Sequence, residues 1–574
     1  MNIINNIYKN INPKYLFLLV ILAFLLIILS ILEILSLGSI PILLSSILDQ
    51  NSFDLKFLKF QYLNENSENM SQKNKIELIS LIIIALFIFK NLFHASIFFF
   101  QGRLLKNIKL YISRKLFNFY LNQNYLYFVK KNTSIIQRTL SIDVGNTIIY
   151  ILSLMNIAKE CLILVAIIIL LFFSNAEITI FLFTSFLTVA SLFYFLNKKK
   201  ILKRGKEIQI YSSGLIRIIY ETIGLFKELK IYGLRDYQYK SYSNKIEKSE
   251  RNIFLNYFIT SMPRLFLEMT AVILIVIIIF MQLQKNNDII TILPFLSLMV
   301  VVALRLIPVF NSLATSLSNL KAIQPSFDLI FSELNNIPKN DNIEGNVEYL
   351  KFKKNIKLTN VSFNYDDKNN IINNLNFEIN KGDKIGIIGS SGAGKSTLVN
   401  IIMGLFKHKK GKIFIDDCEL FREKNQFIEN ISYVPQEVFL IEDRLKMNIA
   451  LGVQEDKISI RKLMNVSKAA QIDNLINNLK DGFETIVEEN GRNFSVGQKQ
   501  RIGVARALYR DSDLIIFDES TSSLDNVTEK QFIDDIFRIF EDKTIIFISH
   551  KVSALRKCNK IFDLKTNLFV KSEI

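Results

Sequence analysis

The chain has 574 residues, half of them apolar, a formal net charge of +17 and three cysteines. Cys161, Cys418 and Cys558 are odd in number and far apart, which excludes a secreted disulfide scaffold and leaves reduced, structural thiols. A charge this positive is the footprint of a nucleic-acid binder, but the lysine excess runs through the whole chain and the apolar content suits a polytopic membrane protein better, so no nucleic-acid partner is expected.

Six apolar runs match the roughly 17 to 25 residues that a helix needs to cross hydrocarbon. The first, residues 15–37, is too long for a signal-peptide core and lacks a small-residue cleavage site behind it. It is expected to stay on as a span, and it carries Glu33. Residues 49–77 form a loop of mixed charge, in which FDLKFLKFQYL (53–63) has aromatics and lysines suited to lying on a membrane surface. The second run, 78–100, holds Lys90 and His94, and residues 102–144 then set eight lysines and arginines against one acid, Asp143. Runs three (147–173, with Lys159 and Glu160) and four (178–196) precede a second basic stretch, 198–257. Runs five (258–280, with Arg264 and Glu268) and six (289–310, with Arg305) close the apolar half.

The lysine and arginine excess places both basic stretches, and with them both termini, on the cytoplasmic side. Both stretches are free of proline and rich in helix formers. The membrane helices are therefore expected to continue about 40 Å below the bilayer and to turn back. Ionisable groups inside a span are costly and usually face a cavity or a partner. Two readings stand for them. Arg264 and Glu268, four residues apart, can pair along one helix, and Lys90 can snorkel to an interface; alternatively, cations in several spans serve one anionic cargo.

After about residue 340 the long apolar runs give way to short β-type runs between turn residues, an α/β signature. The expected fold is a six-span membrane α-helical bundle with long cytoplasmic extensions (1–335) joined to an α/β P-loop NTPase domain (336–574). GIIGSSGAGKSTLVNIIMGL reads as a strand, a glycine-rich loop and an amphipathic helix. Gly389, Gly392 and Gly394 let backbone N–H groups close around phosphates, with Ser390, Ser391 and Ala393 between them. Lys395 reaches the β- and γ-phosphates, the Ser396 hydroxyl can ligate Mg²⁺, and Thr397 follows it. ATP and Mg²⁺ are the cofactors implied. Downstream, DLIIFDES is an apolar strand ending in two acids, Asp518 to hold Mg²⁺ through water and Glu519 to polarise the attacking water.

These motifs stand in the order found in ATP-binding cassette (ABC) transporters, and the last part of the chain resembles the nucleotide-binding domain of that family. The resemblance implies that Tyr365 in FNYDDK stacks on adenine and that Gln436 in YVPQ senses Mg²⁺ and faces the membrane domain. It implies that Ser495, Gly497 and Gln498 of NFSVGQKQR cap the ATP held by the opposite subunit. Asp525 in SSLD belongs to the loop that couples the two sites, and His550 in FISH touches the γ-phosphate. The family's usual LSGGQ has Val496 here in place of its first glycine. A backbone needing φ above zero would be strained as valine, whereas a residue that opens a helix pointing at phosphate would not, and the second reading is preferred. Because each site takes parts from two cassettes, the resemblance implies a homodimer in which the turns near 125–130 and 225–232 act as coupling helices.

In the membrane half, ILEILSLGSIPIL, MPRLFLE and ALRLIPVFNSL resemble the bacterial lipid-linked oligosaccharide flippases of the PglK type. That resemblance implies a multi-pass protein of the bacterial cytoplasmic membrane whose cargo is a polyprenyl-pyrophosphate-linked oligosaccharide. Arg264 and Arg305 are then pyrophosphate contacts, and Lys90 stands where that group tends to have arginine, cationic but without the bidentate fork. The alternative is an exporter of another lipid, such as a lipid A precursor, or of a peptide or drug. An ATP-gated channel would be expected to have a degenerate hydrolytic site, and Glu519 and His550 argue against it.

Overall fold

The computed structural model describes residues 8–47, 72–174, 176–284, 289–337, 350–365, 371–390, 392–421, 427, 430–520, 526–549 and 555–570. The interfacial candidate, 53–63, lies outside this set. The chain divides into two compact units, one of residues 1–123 and 131–339, the other of 124–130 and 340–574.

In chain order the first half forms α1 (Pro13–Ile47), α2 (Gln72–Leu121), the short α3 (Tyr125–Lys130) and α4 (Thr133–Arg138), then α5 (Val144–Ser174), α6 (Ala176–Gly224), the short α7 (Phe226–Ile231), α8 (Arg235–Gln284) and α9 (Ile289–Asn335). Six of these helices are long and apolar enough to cross a membrane, as the six runs of the sequence predict. No proline interrupts the 50 residues of α2, so at 1.5 Å per residue it is about 75 Å long, more than twice the hydrocarbon thickness. The short α3 and α7 fall at the two expected turns.

Two apolar cores hold the first unit together. One joins Leu22, Leu26 and Leu29 of α1 to Ile108 of α2, Tyr150 of α5 and Phe327 of α9, with Tyr150 stacked on Phe327 at 4.2 Å. The other joins Leu37 of α1 to Ile163 of α5, Phe186 of α6, Leu267 of α8 and Phe310 of α9. Gly205 lets α6 and α9 approach closely, since a Cβ there would come within 2.1 Å of the Ala322 carbonyl oxygen. Between α4 and α5, Thr139–Asp143 forms a π turn, a form frequent at special sites. Arg138 and Asp143 pair across it at 2.9 Å, both buried. Arg138 also donates to Gln209 O and Ser213 Oγ of α6, and Asp143 accepts from Ser326 Oγ of α9 at 2.7 Å.

The second unit comprises β1 (Asn355–Phe363), β2 (Ile372–Asn380), β3 (Lys384–Ile388), α10 (Lys395–Ile402), β4 (Lys410–Ile415), β5 (Cys418–Glu419), β6 (Ile431–Val434), α11 (Leu445–Ile449), α12 (Ile460–Ala469), α13 (Asp473–Asn478), α14 (Val496–Arg510), β7 (Leu514–Asp518), α15 (Asn526–Ile539), β8 (Thr544–Ile548), β9 (Lys560–Asp563) and β10 (Leu568–Val570). One sheet is antiparallel, ordered β2-β1-β4-β5. The other is ordered β10-β9-β3-β8-β7-β6 and is parallel except for β10 at its edge. β7 and β8 are buried along their whole length, the continuous apolar pattern of a sheet covered on both faces. This order brings the C-terminal ends of β3 and β7 to one edge with only β8 between them, where ligands of parallel α/β sheets bind. None of the three cysteines forms a disulfide, and burial pushes the Cys558 thiol up to about 12.

Candidate functional site

Between β3 and α10 the chain turns through Gly392 at φ +81° and Gly394 at φ +96°, values that L side chains rarely adopt. Gly394 is the N-cap of α10, and a Cβ there would lie 2.9 Å from Ile371 Cγ2. The loop can wrap as it does because these positions are glycine, and it presents the N-terminus of α10 to an anion. Lys395 is 7% exposed, and its Nζ donates to the carbonyls of Gly389 at 2.9 Å and Ser390 at 3.3 Å. Ser396 faces outward, while Thr397 is buried with its hydroxyl 3.0 Å from that of Tyr365. Tyr365, the expected adenine contact, packs edge-on against Phe363 and Phe406, and Ala393 rests against the same core.

Asp518 ends β7, and Glu519 follows it at φ +46°. A left-handed glutamate is energetically unfavourable, and here the outlier falls on the expected base. Glu519 N donates to Ile548 O at 3.1 Å, and Glu519 Oε1 lies 3.9 Å from Lys395 Nζ. Burial pushes the Asp518 carboxyl above the usual carboxylate range; a hydrogen bond from Tyr433 opposes this, the Glu519 charge adds to it and Lys395 opposes it. Tyr433 Oη is the donor, at 3.0 Å to Asp518 Oδ2. Sequence reasoning passed over this tyrosine although the motif read for Gln436, YVPQ, begins with it. Ser396 and Asp518 offer the hard oxygen donors that Mg²⁺ prefers.

Gln436 has an exposed side chain, but its backbone carbonyl accepts from Gln500 Nε2 at 2.6 Å. Gln500 is buried on α14, so the signature helix is tied to the segment bearing Gln436, a link that motif spacing does not announce. α14 opens with a capping box: Ser495 Oγ accepts from Gln498 N, and the Gln498 side chain accepts from Ser495 N. Val496 is the first helical residue, without positive φ and 56% exposed, so its branch adds no strain; Gly497 follows in the same turn. Tyr125 and Leu126, from the segment counted with this unit, pack on its core, Tyr125 stacking on Phe406 at 5.7 Å. Ser391, Asp525 and His550 lie outside the described residues.

In the membrane unit, Glu33 of α1 is 2% exposed and pairs with cations from two other helices. Lys90 Nζ of α2 lies 3.5 Å from its Oε2, and Arg305 Nε of α9 meets its Oε1. Lys90 also donates to Ser36 Oγ at 3.3 Å. Arg264 of α8 instead pairs along its own helix with Glu268 at 2.7 Å, both exposed. Lys90 and Arg305 are thus brought together, and among the described residues no hydrogen bond or ion pair joins Arg264 to them.

A phosphate loop, an Asp–Glu strand end and a capped signature helix in one unit, with six apolar helices in the other, are the parts of the ABC exporter fold. Residues 372–522 match the family model described as ABC transporter. This match lies within the second unit. The chain's fold is that of a bacterial Atm1-family ABC exporter solved with ATP bound, with a TM-score of 0.77 and 19% identity over 95% of this chain and 93% of that one. The chain is 36% identical over 41% of its length to the lactococcin-G-processing and transport ATP-binding protein LagD of Lactococcus lactis, covering 33% of it. It is 26% identical over 89% of its length to the ATP-dependent lipid A-core flippase of Syntrophus aciditrophicus, covering 83% of it. The chain spans 33%, 39% and 43% of the length of the first curated relatives it matches.

Proposed function

We propose that the protein uses ATP to export an amphipathic, anionic, lipid-linked substrate across the bacterial cytoplasmic membrane, and that this substrate is a polyprenyl-pyrophosphate-linked oligosaccharide. The observation that carries the cargo reading is the convergence of Lys90 and Arg305, two cations from membrane-spanning helices, on one buried carboxylate. Such groups are costly in a membrane and are functional candidates by default.

The working unit is a homodimer with both termini in the cytoplasm. Each nucleotide is held by the glycine loop of one cassette, including Ser391, and capped by Ser495, Gly497 and Gln498 of the other. Lys395 holds the β- and γ-phosphates, Tyr365 the adenine and His550 the γ-phosphate, while Glu519 polarises the attacking water. Ser396, Gln436 and Asp518 would hold Mg²⁺, which when bound neutralises phosphate charge. Asp525 couples the two sites. Cassette closure moves α3 and α7 and opens the membrane cavity outward, where Arg264, Arg305 and Lys90 contact the pyrophosphate; hydrolysis resets the cycle.

A second reading, export of a lipid A precursor, draws support from the lipid A-core flippase that aligns over most of the chain. Both cargoes are tested in liposomes carrying labelled polyprenyl-pyrophosphate oligosaccharide or labelled lipid A, by following ATP-dependent movement between leaflets. Movement of the first label, abolished by Glu519→Gln and by Arg264→Ala in protein that still hydrolyses ATP, supports the main reading. Movement of lipid A alone transfers the assignment to it, and hydrolysis with neither label moving overturns both.

A further inference from the structure

Among the described residues, the charges clustered around Glu33 do not balance. Lys90, Lys159 and Arg305 are three cations, and the carboxylates beside them are Glu33 and Glu160. Lys159 and Glu160 satisfy each other at 3.0 Å. That leaves Lys90 and Arg305 sharing the single carboxylate of Glu33. His94, one turn beyond Lys90 on α2, stands in the electrostatic reach of Glu33, Lys159, Glu160 and Arg305. The group draws on α1, α2, α5 and α9, which pack against one another. It also falls between the two apolar cores: on α1 between Leu29 and Leu37, and on α5 between Met155 and Ile163.

One excess positive charge inside hydrocarbon calls for a counter-ion. We infer that Glu33 is the resident counter-ion of an anion site, and that the phosphate-bearing headgroup of the cargo binds by displacing it from Lys90 and Arg305. The inference rests on the cargo reading above and adds a rule for selectivity. Freeing a buried carboxylate from two partners is costly, so a headgroup must bring more than one negative charge to replace it. A phosphate or pyrophosphate does, and can take both N–H groups of the Arg305 fork. Glu33 therefore weakens binding of every anion and excludes the weakly charged ones. Ser36, bonded to Lys90, keeps the ammonium placed while the carboxylate leaves.

The test uses the full chain in lipid nanodiscs and reads the rise in unfolding temperature with added farnesyl pyrophosphate, inorganic pyrophosphate or uncharged farnesol. Wild type is expected to respond to farnesyl pyrophosphate and not to farnesol. Glu33→Gln, which removes the competitor, should reach half its response at roughly a tenth of the wild-type concentration, the scale of one competing charge pair. Lys90→Gln should need more. Glu33→Asp keeps the charge but shortens its reach and should shift the same way by less, so the result stands even where the glutamine variant fails to fold. Inorganic pyrophosphate acting as well as the farnesyl compound supports the exchange and moves the cargo from a lipid to a free anion. A wild-type response that Glu33→Gln and Glu33→Asp leave unchanged or weaken overturns the counter-ion role and leaves the cargo reading standing. No response of wild type to either pyrophosphate overturns both.

Discussion

The phenol of Tyr433 donates a 3.0 Å hydrogen bond to Asp518 Oδ2, joining the strand before Gln436 to the carboxylate expected to hold Mg²⁺. Burial already pushes that carboxyl up, and the Tyr433 bond works against it by favouring the charged form. Tyr433→Phe removes the opposing influence. The Mg²⁺ concentration for half-maximal ATP hydrolysis should rise about three- to tenfold, the net scale of one ordinary hydrogen bond, since the donor Tyr433 is exposed. The acid limb of the pH–rate profile should move to higher pH, because Asp518 then protonates sooner as pH falls. An unchanged Mg²⁺ dependence would show the bond to be packing only.

Glu519 sits at φ +46° with its carboxylate 3.9 Å from Lys395 Nζ. Glu519→Gln keeps the shape and removes the base, so turnover should fall at least about a hundredfold, the lower end for losing general-base catalysis. Nucleotide binding, followed by a fluorescent ATP analogue, should persist. Retention of more than a tenth of the turnover would move the base elsewhere.

What the sequence made legible was what local pattern carries. Run length predicts six membrane helices, and glycine spacing with its flanking strand and helix predicts the loop that ends at Lys395. The i, i+4 spacing of Arg264 and Glu268 anticipates their ion pair. The missing pieces are contacts between residues far apart in the chain. The sequence groups Lys90 and Arg305 only through a shared cargo and leaves Glu33 apart in its own run, and only the packing of α1, α2 and α9 shows that this one carboxylate serves both cations. Gln500 on Gln436 and Tyr433 on Asp518 are likewise set by sheet order and helix docking. The boundary near residue 335 describes the chain as a line, whereas residues 124–130 are counted with the second unit because their side chains pack there.

Val496 occupies the first turn of α14, between the capping serine and Gly497. Restoring the family's glycine should therefore bring no gain. Val496→Gly is expected to leave ATP hydrolysis within about twofold and to lower stability by up to about 1 kcal/mol, glycine's penalty in a helix. A severalfold rise in turnover would mean that the valine strains the signature segment in the proposed closed dimer.

The Arg138–Asp143 pair is the most deeply buried ion pair described in the membrane unit, with the two residues 5% and 1% exposed. Its energetics turn on what is left when one partner goes. Asp143→Ala strands the guanidinium and deprives Ser326 of its acceptor, so a loss of about 3 to 5 kcal/mol is expected. Asp143→Asn keeps the shape and one acceptor oxygen and should cost less. Because a buried pair gains little net energy over apolar side chains of similar volume, Arg138→Met combined with Asp143→Leu should recover much of the loss. Heat inactivation half-life in detergent is the suitable readout, since membrane proteins of this size rarely unfold reversibly. If the double variant proves as unstable as Asp143→Ala, the π turn at Thr139–Asp143 needs the charges themselves, through the bonds from Arg138 to Gln209 and Ser213 on α6. If stability returns but ATP hydrolysis does not respond to cargo, the pair sets the geometry between α4 and α5 rather than their adhesion.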